Sequence, residues 1–170
     1  MHIPTQTTSL ARLWPEALTF EAFVAAAAAE HRPLWESIHR LHRTPEGTLT
    51  LAPKGSGPWR LFVIAADWCG DAVNIVPPLA KWAAAVGIEL RIVDRDTYPE
   101  LMDRYLTNGA RAIPVVIALG PDFEELGHWA PRPSELQEWV LAHKATMPKD
   151  ERYKETRRWY ARDRGESTIR

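Results

Sequence analysis

The stretch Arg60 to Ala66 (RLFVIAA) is a nearly uninterrupted apolar run. A strand with one wet face would alternate apolar and polar residues; a run without alternation reads as a strand covered on both faces. Behind it lies a helical pattern of Val73, Val76, Leu79, Ala83 and Val86, stopped by Gly87. Two further apolar runs, Ile88 to Val93 and Val115 to Leu119, read as strands. Thr97 with Glu100 forms a capping box for a helix bearing Leu101, Tyr105 and Leu106, ended by Asn108-Gly109. After the turn Gly120-Pro121-Asp122, Glu124 to Trp129 reads as a fourth strand, hairpin-paired to the third. Ser134 with Gln137 forms another capping box, with Leu136, Trp139, Val140 and His143 on one face. Strands alternating with helices imply parallel βα units, and the hairpin adds an antiparallel edge.

The flanks differ from this core. Residues 1–18 carry no strong pattern and read as a loose start. Thr19 can cap a helix carrying Phe20, Phe23, Val24 and Ala27, and Pro33 suits the first turn of a second helix with Trp35, Ile38 and His42. The Pro- and Gly-rich stretch 44–59 reads as a loop holding a short strand, Thr48 to Leu51. Pro77 and Pro78 are expected to kink the helix they interrupt. From about Met147 the chain is charged and helical in pattern, with Tyr153, Trp159 and Tyr160 available to dock it. The expected division is a helical segment over 1–58, a core over 59–146 and a charged helical extension over 147–170.

Composition removes several function classes. A chain of 170 residues can bury its own core without a staple. Lys+Arg number 21 against 22 Asp+Glu, so the balance does not favour nucleic-acid binding. The nine Lys+Arg against five Asp+Glu from Lys144 onward read as a solvated face. No apolar run approaches the length of a membrane span. One cysteine makes neither an internal disulfide nor a Cys-based zinc site, which points to a reducing cytoplasm. The six histidines are dispersed and read as surface residues, so no metal site is expected. Seven of the eight tryptophans read as packing residues; the eighth, Trp68, adjoins the cysteine.

Chemistry is thereby concentrated at Asp67-Trp68-Cys69-Gly70-Asp71. A thiol between a buried strand and a helix faces free N–H groups and the positive end of the helix dipole, which favour a thiolate. A buried, inert cysteine fits the same position. Trp-Cys-Gly after a strand, a proline eight residues past the cysteine (Pro77) and Ile113-Pro114 opening a later strand resemble the thioredoxin family over residues 59–145. More narrowly, the chain resembles a thioredoxin-like branch with Trp-Cys-Gly-Asp, with Gly109-Ala110-Arg111-Ala112-Ile113-Pro114 and with Trp129-Ala130-Pro131-Arg132-Pro133. The resemblance implies a thioredoxin-like α/β fold, a central mixed sheet flanked by helices, with extra N-terminal helices and a C-terminal helical extension. It implies Cys69 as nucleophile, Trp68 and Gly70 beside it, and Pro114 as a cis-proline. The Ile113 backbone would then pair with a bound peptide or glutathione.

Two departures matter. The position of a second cysteine holds Ala72, so a mixed disulfide at Cys69 has no internal resolving thiol and the dithiol cycle is excluded. The position of the family's buried acid holds Val63. Asp71 is either a helix-start residue favoured by the dipole or a group that tunes the thiol or accepts its proton. Arg111 is either an exposed loop residue or a cation at the groove rim, paired with a ligand carboxylate or with Asp71. Arg132, between two prolines, is expected to bond loop carbonyls. Two functions follow: monothiol exchange through mixed disulfides, or a redox-inactive binding protein using the groove at Trp68 and Pro114. No resident cofactor is implied; glutathione is the candidate co-substrate, and a protein or peptide thiol or disulfide the candidate partner.

Overall fold

The computed structural model describes residues 9–54 and 57–170. Residues 1–8 of the expected loose start and 55–56 of the expected loop lie outside the described residues. The apolar run at Arg60 becomes the central strand of a five-stranded sheet. Its strands are β1 (Leu18–Thr19), β2 (Arg60–Ala65), β3 (Glu89–Asp94), β4 (Val115–Leu119) and β5 (Glu125–Trp129), in the order β1-β3-β2-β4-β5. Every β2 residue after Arg60 is buried, as a strand covered on both faces requires.

The sheet is mixed. β2 and β3 are parallel, Ile64 opposite Val93, whereas β4 runs antiparallel to β2, Ile64 opposite Val115. The expected parallel setting of the third strand is therefore corrected. Between β3 and β4 the chain makes only one helical turn, α5 (Pro99–Met102), and returns at the end of the sheet where β3 left it. The capping box expected there does not form: Tyr98 is the N-cap and makes no side-chain cap bond. After Met102 the backbone tightens, Arg104 N bonding Leu101 O and Tyr105 N bonding Met102 O. Tyr105 then donates to Glu125 Oε2 at 2.7 Å instead of extending the helix. Asn108 and Gly109 both have positive φ, and Thr107 and Ala110 exchange backbone bonds across them, the geometry of a tight primed turn. The β4–β5 hairpin forms with a register shift at Ala118/Leu119.

The N-terminal region is more ordered than its sequence suggests. Residues 9–19 form α1 (Leu10–Leu13), a 3-10 turn at Trp14–Glu16 and β1, and Leu10, Leu13, Trp14 and Ala17 are buried. Thr19 caps α2 (Phe20–Ala26) by accepting from Ala22 N, and Pro33 lies in the first turn of α3 (Arg32–Leu41). The expected strand at Thr48–Leu51 is instead a 3-10 turn, Glu46–Leu51. Its Thr48 hydroxyl bonds Pro45 O, and Trp82 Nε1 donates to Thr48 O at 2.9 Å. His42 is buried rather than a surface histidine.

α4 (Gly70–Val86) continues through Pro77 and Pro78 and ends at Gly87, which is left-handed. α3 packs along α4, and Lys81 Nζ donates to His39 O and His42 O at 2.9 Å, capping the end of α3. α6 (Ser134–His143) has Pro133 as N-cap, and the expected Ser134–Gln137 box is absent because Gln137 Oε1 accepts from Arg132. The C-terminal segment forms α7 (Lys149–Asp163) and α8 (Glu166–Ile169). Of the expected docking aromatics, Tyr160 is buried, Trp159 half-buried and Tyr153 exposed. No helix of the described residues is long and apolar enough to cross a membrane.

Candidate functional site around Cys69

The β2–β4 register brings Cys69 and Ile113 together. Cys69 follows β2 by four residues, Ile113 precedes β4 by two, and those ends of the two strands are paired. Asp67 fastens the intervening turn: its Oδ2 accepts from Ala28 N at 2.7 Å and its carbonyl accepts from Trp35 Nε1 at 2.8 Å. Trp35 is wholly buried against Phe20 and Phe23. The N-terminal helices thus set the site's backbone.

Cys69 is the N-cap of α4. Its Sγ accepts from Ala72 N at 3.4 Å and donates to Ile113 O at 3.6 Å. The residue is 7% exposed. Burial pushes the thiol up from its ordinary value, opposed by the Ala72 N–H and reinforced by the Asp71 charge. The contact with Ile113 O needs the proton, because a thiolate has nothing to donate and would repel the carbonyl. The resting state is a thiol. Val63 and Ala72 are fully buried, so neither departure is offset at its own position.

Asp71, in the first turn of α4, is engaged on both oxygens. Oδ2 pairs with Arg132 Nη2 at 2.8 Å and Oδ1 accepts from Tyr160 OH at 2.7 Å. The Asp71 and Arg132 side chains are only 14% and 22% exposed. Arg132 also donates to Gln137 Oε1 at 2.6 Å. Its role is this ion pair and not the loop carbonyls anticipated from its prolines. Burial, then the Asp71 charge, pushes the Tyr160 phenol far above its ordinary value, so it stays a donor. Arg111 does not reach Asp71: it makes a two-pronged pair with Asp103, Nε to Oδ1 at 2.7 Å and Nη2 to Oδ2 at 3.0 Å.

Trp68 is 50% exposed, with the Arg95 guanidinium 4.8 Å from its ring centroid. Arg95 also donates to Arg111 O at 3.2 Å, tying the Trp68 side of the site to the 107–112 loop. Gly70 opens α4, and a Cβ there would meet no heavy atom within 4 Å. The Ile113–Pro114 and Ala130–Pro131 peptide bonds are cis. A cleft of about 280 Å³ opens on Asp71, lined also by Asn108, Arg132, Lys144, Arg152 and Tyr153. No group of three or more His, Cys, Asp or Glu suited to a metal ion exists among the described residues.

A thioredoxin family profile matches residues 17–157, and the chain belongs to the thioredoxin family. The fold resembles the crystal structure of a protein of unknown function, PA1234, from Pseudomonas aeruginosa. That likeness has a TM-score of 0.74 at 22% identity, covering 95% of this chain and 93% of the other. It also resembles an HIV epitope scaffold, with a TM-score of 0.72 at 20% identity, covering 95% and 93%. At these identities the likeness speaks for the fold alone. No curated protein matches the chain.

Proposed function

We propose that this chain is a thioredoxin-fold binding protein. It takes an extended peptide segment at the surface formed by Trp68 and the Ile113–Pro114 backbone, and Cys69 serves as a protonated helix cap. The observation that carries this reading is the state of Cys69, buried and donating to Ile113 O. Trp68 supplies the recognition element: a large aromatic, half exposed and held by Arg95, is the residue type that dominates binding energy at interfaces. Ile113 and Pro114 are themselves buried, and a segment that reaches their backbone would gain main-chain hydrogen bonds as well.

A second reading, monothiol exchange, is favoured by the Ala72 N–H on Sγ at the start of a 17-residue helix. In it, the Cys69 thiolate attacks a disulfide, a new S–S bond forms, and the departing sulfur leaves with the electron pair. Glutathione or a protein thiol then attacks the mixed disulfide and restores Cys69, because Ala72 cannot.

One pair of variants separates the two. Binding of extended peptides from a display library, read by the fluorescence anisotropy of a dye-labelled peptide, is expected to survive Cys69→Ser and to be lost in Trp68→Ala. Peptide binding unchanged in Trp68→Ala would overturn the groove. Glutathione-coupled disulfide turnover that disappears in Cys69→Ser would establish exchange instead.

A further inference from the structure

We infer that the groove between α3 and the α7–α8 corner is a docking site for an acidic amphipathic helix of a protein partner. The groove shares no residue with the surface at Trp68 and Ile113–Pro114. The inference therefore goes beyond the peptide binding proposed above and does not depend on it.

α3 and the C-terminal helices each pack on α4 and leave a gap between them. The gap is a groove of about 1000 Å³, to which α4 contributes Asn74 and Pro78. One wall is α3, where Leu34, Ile38 and Leu41 recur at helical spacing and line the groove. Leu34 is 52% exposed and Leu41 68%. α3 thus carries apolar residues on two sides: Trp35 is wholly buried in the core, while Leu34 and Leu41 meet solvent. An apolar strip with a polar rim marks an interaction surface.

The rim supplies charge of one sign. Arg162 and Arg164 line the groove at the end of α7, and Arg43 lines it just past α3. None of the three pairs with a carboxylate among the described residues. The two carboxylates of the groove are already engaged: Glu166 pairs with Arg170 at 2.9 Å, and Asp163 accepts from Ser167 N at 3.2 Å. Past Ala161, which borders the groove, the basic strip continues along α7 to Lys154 and Arg157.

Shape selects the occupant. A small molecule is held where a pocket encloses most of its surface, whereas this groove is open to solvent. A membrane surface is flat and does not enter a trough between helices. The ten residues of α3 span roughly 15 Å. A helix laid in a groove presents its anchors at i, i+3 or i+4 and i+7 over that length. Its apolar anchors meet Leu34, Ile38 and Leu41, and carboxylates beside the anchors meet the unpaired arginines.

The probes are three dye-labelled helical peptides of about 15 residues. Each has leucine at i, i+3 and i+7, and the flanking positions are all Glu, all Gln or all Lys. They are titrated against the full chain by fluorescence anisotropy. The Glu peptide is expected to bind about tenfold more tightly than the Gln peptide, the combined worth of three exposed ion pairs. It is expected to weaken with added salt, and the Lys peptide to bind weakest. Leu41→Glu is expected to lower the affinity for the Glu peptide about tenfold or more. Arg43→Glu with Arg162→Glu is expected to reverse the order of the Glu and Lys peptides. All three positions are exposed, so the variants are expected to unfold at the wild-type temperature. Equal binding of the three peptides, no binding of any, or binding unchanged in Leu41→Glu would each overturn the site. Binding that falls in Trp68→Ala instead would place the peptides at the other surface and overturn it too. A dimer seen by light scattering, or sedimentation with phosphatidylserine vesicles, that is lost in Leu41→Glu would assign the groove to a second copy or to lipid, against a partner helix.

Discussion

Asp71→Asn is the perturbation that best isolates the electrostatics of the site. Asparagine keeps the shape and one acceptor. Turned to accept from Tyr160 OH, its amide presents N–H groups to the Arg132 guanidinium, donor against donor. The pair lost is short, at 2.8 Å, between side chains 14% and 22% exposed. At an effective dielectric near 20, the gross attraction at that distance is about 6 kcal/mol. Desolvation of both groups cancels much of it, and Arg132 keeps Gln137, so the net cost is about 2–3 kcal/mol. For a chain of this size that lowers Tm by roughly 5–10 °C. The same substitution removes a charge that opposes the thiolate and leaves the Arg132 charge, which favours it, unneutralised. The alkylation midpoint of Cys69 therefore falls. Because burial is the largest cause of the upward shift, it stays above the value of an exposed thiol. Thermal unfolding by circular dichroism and the alkylation profile measure the two effects on one sample. A Tm within about 1 °C of wild type, or a midpoint that rises, would refute the reasoning.

Two further outcomes follow from other parts of the structure. Trp35→Phe keeps most of the ring but strands Asp67 O without its donor; a loss of about 1–3 kcal/mol in urea unfolding is expected, and an unchanged midpoint would mean the turn does not rely on that bond. Stability is expected to fall at both ends of the pH range. Burial lowers the His42 value, so its contribution is present above the unfolded histidine value of about 6.5 and is lost as pH falls through the folded value. Burial raises Cys69, Tyr105 and Tyr160, so theirs is present below the unfolded thiol and phenol values, about 8.5 and 10, and is lost as pH rises toward the folded values. A urea-unfolding free energy that climbs between pH 9 and 11 would contradict that assignment.

What the sequence discloses and what it hides divide by range. Local signals carry far: RLFVIAA announces the central strand, Thr19 its helix cap, Gly87 its helix stop, and Trp-Cys-Gly with Ile-Pro the family. Local signals also mislead where a distant partner outbids them. Gln137 has the spacing of a capping box but answers to Arg132, and Tyr105 has the spacing of a helix face but answers to Glu125. The site divides in the same way. Cys69, Gly70 and Asp71 are contiguous and were readable, whereas the two groups that decide what Asp71 does arrive from positions 132 and 160. Arg132 carried a hint in its proline-flanked, family-like setting, and Tyr160 carried one in being an aromatic on an otherwise charged helix. Neither hint names its partner. A carboxylate beside a thiol poses a question of sign, base or burden, that its neighbours in sequence cannot answer. Here each of its oxygens accepts from a distant donor, so Asp71 is held as the partner of Arg132 and Tyr160, and the Cys69 proton is directed at Ile113 O instead. The carboxylate's negative charge on the thiol is opposed by the Ala72 and Asp71 backbone N–H groups and, to a lesser degree, by Arg132, and the thiol stays protonated because burial, more than Asp71, outweighs the helix start.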